Sequence, residues 1–228
     1  MPSTRALRVW SWLHKWTSLV STLFMLLLCL TGLPLIFHHE IGGWLGTEVV
    51  SPAMPKDAPR VSLDRVMEVA KQRFPTKGGM FVSQEPDDDT VWYVTMSDTP
   101  TSETDLKQVA VDARTGQALA EPKLDRGLIY VLYTLHVELF AGTPGKLFLG
   151  FMALLMLIAI VSGVVLYAPF MRKLDFGEVR RDRSTRLKWL DLHNLLGIAT
   201  LTWAVVVAGA GRINTWADLV VQYWRNDQ

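Results

Sequence analysis

The chain has 228 residues, half of them hydrophobic, with nine tryptophans, a mean hydropathy of +0.20 and a formal net charge of +1. Such a length and apolarity fit a small membrane protein with one soluble module, and the near-neutral charge gives no footing for a nucleic-acid partner. The single cysteine, Cys29, excludes a disulfide framework and a thiolate metal site.

Residues 1–16 carry Arg5, Arg8 and Lys15 and no acid, so the positive-inside rule predicts a cytoplasmic N-terminus. Between Trp16 and His38 no residue is charged, and the run exceeds the roughly 20 residues that one membrane-crossing helix needs. It predicts a first transmembrane helix over residues 17–39. The run is too long for a cleaved leader, and GGWLG after it lacks a small-x-small cleavage pattern, so it reads as an uncleaved anchor. His14 precedes the run, and His38 and His39 follow it. At about 100° per residue, His14, Met25, Gly32 and His39 share one helix face, while His38 falls about 120° away. Pro34 is placed to kink the last turn. The plain alternative is an anchor flanked by interfacial histidines.

Residues 40–125 change character. Residues 51–60, SPAMPKDAPR, read as a proline-rich linker, and SLDRVMEVAKQRFP reads as an amphipathic helix with Ser62 as N-cap and Pro75 as stop. Two strand-like runs follow, VWYVTMS from Val91 and KQVAVD from Lys107, with turn signals at Pro86–Asp89 and Thr115-Gly116. From Glu40 to Asp125 fifteen Asp and Glu face nine Lys and Arg, a balance suited to the non-cytoplasmic side. These features predict a small α+β module outside the membrane.

Residues 126–142 are apolar but hold His136 and Glu138, and are too short to span, which predicts an interfacial helix. Thr143 is placed as N-cap and Pro144 at the first helical position of a second span over 143–169. From Met171 to Leu192 seven basic residues face four acidic ones, marking 170–192 as a cytoplasmic loop. A third span over 193–212 starts with His193, and the aromatic tail 213–228 suits the outer interface. Gly211 follows His193 as Gly32 follows His14, so His-x17-Gly occurs twice, in two helices predicted to run the same way.

Ionisable side chains at membrane depth point to function. Proton relay, metal transport and haem ligation are the candidates. A relay or transporter would add buried carboxylates, and the middles of the three spans have no Asp or Glu. Zinc or iron sites want three or four clustered ligands, whereas these histidines divide into an inner pair, His14 and His193, and an outer group, His38, His39 and His136. Two imidazoles from two helices are what a six-coordinate b-type haem needs, and a glycine on the ligand's face leaves room for a flat macrocycle. Lys15 and Lys188 inside, and Arg126, Lys146 and Arg212 outside, are placed to pair with propionates; for each of them, snorkelling at the interface is the plain alternative. The outer haem would take His136 with either His39, favoured by helical phase, or His38, favoured by a Pro34 kink. Twenty-five residues of helix rise about 37 Å, a long gap for electron tunnelling between the two levels.

The stretches WLHKWTSLVSTLFMLLLCLTGLPLIF, VAVDARTGQAL, LYTLHVELFAG-x2-G, SGVVLY and LHNLLG together resemble the PepSY-associated transmembrane proteins, over nearly the whole chain. The resemblance implies a bacterial inner-membrane protein with a periplasmic PepSY-like module, here between the first two of the three predicted transmembrane helices of a membrane α-helical fold. It further implies haem b in the membrane, two haems by the two histidine groups of this chain, and electrons passed outward to ferric iron or a ferric chelate as in the ferrisiderophore reductases of the family. Longer members continue with a second periplasmic part and a fourth span, which here would be absent or supplied by a second copy in a homodimer. The sequence has no Gly-rich nucleotide fingerprint and no flavin domain, so the electron donor would be external, a quinol or a cytoplasmic flavoprotein. The contrasting expectation is a non-enzymatic PepSY membrane protein that binds or inhibits a periplasmic partner.

Overall fold

The computed structural model describes residues 3–55, 57–86, 88–99, 105–121, 125–169, 178–180 and 184–226. Two compact units emerge, one built from Met1–Leu33 with Leu132–Gln228 and the other from Pro34–Val131.

In the first unit, helix α1 (Thr4–Ile36) buries Thr17, Ser21 and Thr31 and turns Leu19, Leu23, Leu26, Leu30 and Leu33 outward. This inverts the pattern of a water-soluble helix. Leucine gains nothing by leaving lipid for protein, whereas small hydroxyl residues let two helices approach closely. Each hydroxyl is satisfied within the helix: Thr17 donates to the Leu13 carbonyl at 2.8 Å, Ser21 to Thr17 at 2.7 Å and Thr31 to Leu27 at 2.9 Å. Helix α5 (Thr143–Tyr167) lies antiparallel to α1, with Ser21 beside Met156 and the Phe24 and Phe148 rings 5.0 Å apart edge to face.

Helices α1 and α5 are each long and apolar enough to cross a membrane. The expected third span is two helices, α6 (Thr185–Ala199) and α7 (Leu201–Asn226), bent by 64° where they meet. It counts as a span only if the bent pair is taken together. The smooth phase from His193 to Gly211 is therefore interrupted. Much of the basic loop at 170–192, including Arg172, Lys173, Arg181 and Arg183, lies outside the described residues.

The turn into α5 is tight. Helix α4 (Leu128–Glu138) is followed by Leu139 and Phe140, both at positive φ, and by Gly142 at φ 60°. Two consecutive non-glycine residues in the left-handed region are unusual, and the surrounding packing must hold them there. Gly142, not Thr143, is the N-cap, and Pro144 sits in the first turn. A Cβ on Gly145 would run into the Glu138 carbonyl oxygen, so the α4–α5 corner closes only with glycine there.

In the second unit, α1 ends beyond Pro34 and the chain restarts, after Phe37, as helix α2 (His38–Trp44). Helix α3 (Leu63–Arg73) is capped by Ser62, whose Oγ accepts from the Arg65 amide, and it stops before Pro75 as expected. Strands β1 (Gly78–Glu85), β2 (Asp88–Ser97) and β3 (Lys107–Asp112) form an antiparallel sheet in that order. Sequence reading missed β1, because GGMFVSQE opens on two glycines and lacks a clean alternation. The expected turn at Pro86–Asp89 joins β1 to β2, although Asp87 lies outside the described residues. Period-two alternation sends Val94, Met96, Val109 and Val111 against Val66, Val69 and Ala70 of α3, while Val91 and Ala110 meet Val49 on the other face. The sheet ends in a turn at Asp112–Gly116, where Gly116 adopts φ 66° and donates to the Asp112 carbonyl.

Candidate functional site

His14 on α1 points at α5. Its Nδ1 lies 2.9 Å from the Ala159 carbonyl and 3.2 Å from Ser162 Oγ. A carbonyl only accepts, so Nδ1 carries the proton and Nε2 keeps its lone pair. Ser162, fully buried, donates to the same Ala159 carbonyl at 3.0 Å and stands beside the ring. A Cβ on Gly163 would sit 3.0 Å from His14 Cε1, so the missing side chain is what lets the imidazole lie against α5. The His193 ring, on α6, has its centroid 6.2 Å from that of His14, with the planes at 69°. The inner pair expected from sequence is thus brought together.

Two residues before His193 lies an ion pair. Asp191 is buried and takes a two-pronged contact from the Arg180 guanidinium at 2.7 and 3.0 Å, plus the Arg180 amide at 3.1 Å. This ties the start of α6 to the chain before it. Arg180 was read from sequence only as loop charge.

His136 on α4 repeats the arrangement. Its Nδ1 lies 2.8 Å from Thr31 Oγ1, and the ring also hydrogen-bonds the Leu28 backbone carbonyl. Gly32 provides the clearance, since its Cβ would stand 3.0 Å from His136 Cε1. The glycine expected to open space for a macrocycle is occupied by an imidazole instead. Gly211 has open space around it and touches no ring.

In the second unit, His38 and His39 stack with centroids 4.0 Å apart. The break at Phe37 removes the continuous helical phase that placed His39 over Gly32. His39 directs Nδ1 to Glu48 at 2.7 Å and has Nε2 3.6 Å from Glu85, whereas His38 bonds the Leu35 carbonyl through Nδ1. Among the described residues His38 Nε2 has no hydrogen-bond partner.

The cations behave differently from one another. Lys15 lies over the Trp16 ring at 5.4 Å, and Arg126 is exposed beside Asp125. Arg212, expected at the outer end of a span, lies near the middle of α7 with its guanidinium 4.2 Å over Trp216. Among the described residues no group of three or more His, Cys, Asp or Glu is arranged to hold a bare metal ion.

Ser162, Gly163 and Thr31 are the site residues that sequence reading missed. The signal was present in the Ser-Gly pair of SGVVLY, a polar and a small residue side by side in an apolar span. It could not be read without knowing that His14 lies across from it.

A family model described as the PepSY-associated TM region matches residues 11–228. The chain belongs to the PepSY-associated transmembrane family. An uncharacterized Pseudomonas aeruginosa protein, PA4219, is 34% identical to this PepSY-associated protein over 84 residues, 37% of this chain and 21% of the relative. The match thus spans about a fifth of that relative's length. With the family shown, the apolar α1 and α5 are read as spans of a membrane protein.

Proposed function

We propose that this PepSY-associated protein is a b-type cytochrome of the bacterial inner membrane, passing electrons outward to ferric iron or a ferric siderophore at the periplasmic side. The observation that carries it is the His14–His193 pair. An iron held between two imidazole nitrogens at about 2 Å each would set the ring centres roughly 6 Å apart, and the observed spacing is 6.2 Å. His14 is also prepared as a ligand, because its Nδ1–H is anchored on a carbonyl and its Nε2 is bare, the usual outer-shell arrangement of a metal-bound histidine. Bare iron would need more donors than two imidazoles; a porphyrin brings its own.

Haem, when bound, supplies one-electron chemistry. The protein's part is to hold the ligands, keep their tautomer fixed and line the site with apolar residues. Ser162 and Ala159 fix the His14 ring, Gly163 admits it, and the Arg180–Asp191 pair sets α6 and with it His193. His136 offers a second imidazole, seated on α1 through Thr31, and it is the proposed ligand of a second haem. A cytoplasmic N-terminus and a periplasmic module are supported by the basic N-terminal stretch and the acidic balance of residues 40–125. Electrons would come from a quinol or a cytoplasmic flavoprotein.

The test is the optical spectrum of the purified protein. A reduced α band of bis-imidazole haem b, lost in part in His14→Ala and in His193→Ala, is expected. A colourless protein that takes up no added haem would overturn the proposal. The second reading, a module that binds a periplasmic partner, draws on the edge strand β1, where Phe81 is 61% exposed. Haem-free protein that still binds such a partner would favour it.

A further inference from the structure

Helix α2 hangs directly from the end of the first span. Phe37 alone separates α2 from α1 and is bonded on both sides. Its amide donates to the Pro34 carbonyl at 3.1 Å, and its carbonyl accepts from the Ile41 amide at 3.0 Å. Gly46, at φ 62°, then turns the chain back, and the Thr47 amide donates to the Gly42 carbonyl at 2.9 Å. That return puts Glu48 against α2. Its carboxylate accepts from His39 Nδ1 at 2.7 Å and fills the space where a Cβ on Gly42 would stand. Val49, the next residue, is buried against Val91 and Ala110 of the sheet. The module therefore grips α2 by its His39–Gly42 face.

Trp44 points the other way. It lies about 170° around the helix from the middle of that face, and it is 87% exposed. It belongs to a run of exposed apolar side chains that starts at Leu33 and Ile36 on the span and continues through Phe37 to Leu45. Water is a poor solvent for a bare indole ring, whereas the boundary of a bilayer accepts the ring and its N–H together. Such a boundary is close. Trp44 follows Ile36 by eight residues, at most about 12 Å of helix, and the headgroup layer is itself roughly 5–8 Å deep. Glu40 is exposed on the same side of α2, about 40° from Trp44. It limits the depth, because a carboxylate stays out of hydrocarbon.

We propose that α2 is an interfacial foot, laid along the bilayer surface where the first span emerges, with Trp44 and Leu45 seated among the lipid headgroups. The occupant of this face is the membrane itself, and His39 and Glu48 hold the sheet module on the opposite side of α2. Haem plays no part in it.

The test uses the full chain, with Cys29→Ser, in nanodiscs of phosphatidylethanolamine and phosphatidylglycerol. A nitroxide on Trp44→Cys reports depth through its relaxation by oxygen, which collects in lipid, and by an aqueous nickel chelate. High oxygen access is expected, with nickel access several-fold lower than at a label on Thr115→Cys, an exposed turn position. With the label moved to Leu45→Cys, adding Trp44→Ser should raise nickel access to the Thr115 level. Equal nickel access at Trp44→Cys and Thr115→Cys overturns the proposal. Low access to both reagents overturns it too and gives the face to protein. Spin–spin broadening that vanishes on dilution with unlabelled chain does the same, and identifies that protein as a second copy. Nickel access at Leu45→Cys unmoved by Trp44→Ser overturns Trp44 as the anchor.

Discussion

A methyl group placed on Gly163 would stand 3.0 Å from Cε1 of His14, so the imidazole of one helix occupies the side-chain space that its neighbour gives up. Gly32 and His136 repeat the relationship, with the same 3.0 Å clearance and the same ring carbon. In both cases Nδ1 has a hydrogen-bond partner on the neighbouring helix.

Gly163→Leu should push the His14 ring out of its seat. The expected result is loss of the haem bound by the inner pair, with helicity by circular dichroism retained. Wild-type haem content in this variant would mean that His14 is not a ligand in the seated position.

Ser162→Ala removes the hydroxyl beside His14 Nδ1 but leaves the Ala159 carbonyl. Changes in such supporting partners typically cost about 10–100-fold in metal affinity. We expect the lower end, about tenfold weaker haem retention, together with a changed midpoint potential. A variant unchanged in both would leave Ser162 a purely structural hydroxyl.

His136→Ala should remove a second haem while leaving the inner one, read as half the wild-type haem per protein. Thr31→Val, which keeps the shape and takes away the hydroxyl partner of Nδ1, should weaken that haem without abolishing it. If His136→Ala keeps full haem content, the imidazole serves only to seat α4 on α1.

Asp112 in the sheet module accepts from the amides of Arg114 and Thr115 and pairs with the Arg114 guanidinium at 3.1 Å. Burial pushes its carboxyl up, but the hydrogen bonds from Arg114 and Thr115 outweigh that and hold it below the usual carboxylate range. A depressed folded-state value means the contribution is present above the unfolded value of about 3.9 and is lost as pH falls through the folded one. Hydrogen exchange at β3 should therefore accelerate only in strongly acidic solution. At neutral pH Asp112→Asn should cost the module about 2–3 kcal/mol, the worth of charged hydrogen bonds lost from a buried site.

Cysteines placed at Asp88 and Arg186 in a Cys29→Ser background test the orientation. An impermeant thiol reagent should label the first and not the second in intact cells. The opposite pattern would invert the proposed topology.

Sequence alone determined that this chain enters a membrane, because an uncharged run from residue 17 to 37 has no soluble solution that buries it all. It also determined the Ser62-capped helix, two of the three strands and the interest of His14, His193 and His136. Those are local properties: period, caps and rare residues in apolar company. Tertiary structure decided the rest. The bend between α6 and α7 separates His193 from Gly211, and the break at Phe37 separates His39 from Gly32, because helical phase extends only as far as one helix does. Which glycine serves which histidine was illegible, since Gly163 is far from His14 in sequence and meets it only when α1 and α5 pack. Trp216 meets Gly150 for the same reason, through an α5–α7 contact that no pattern within α7 encodes.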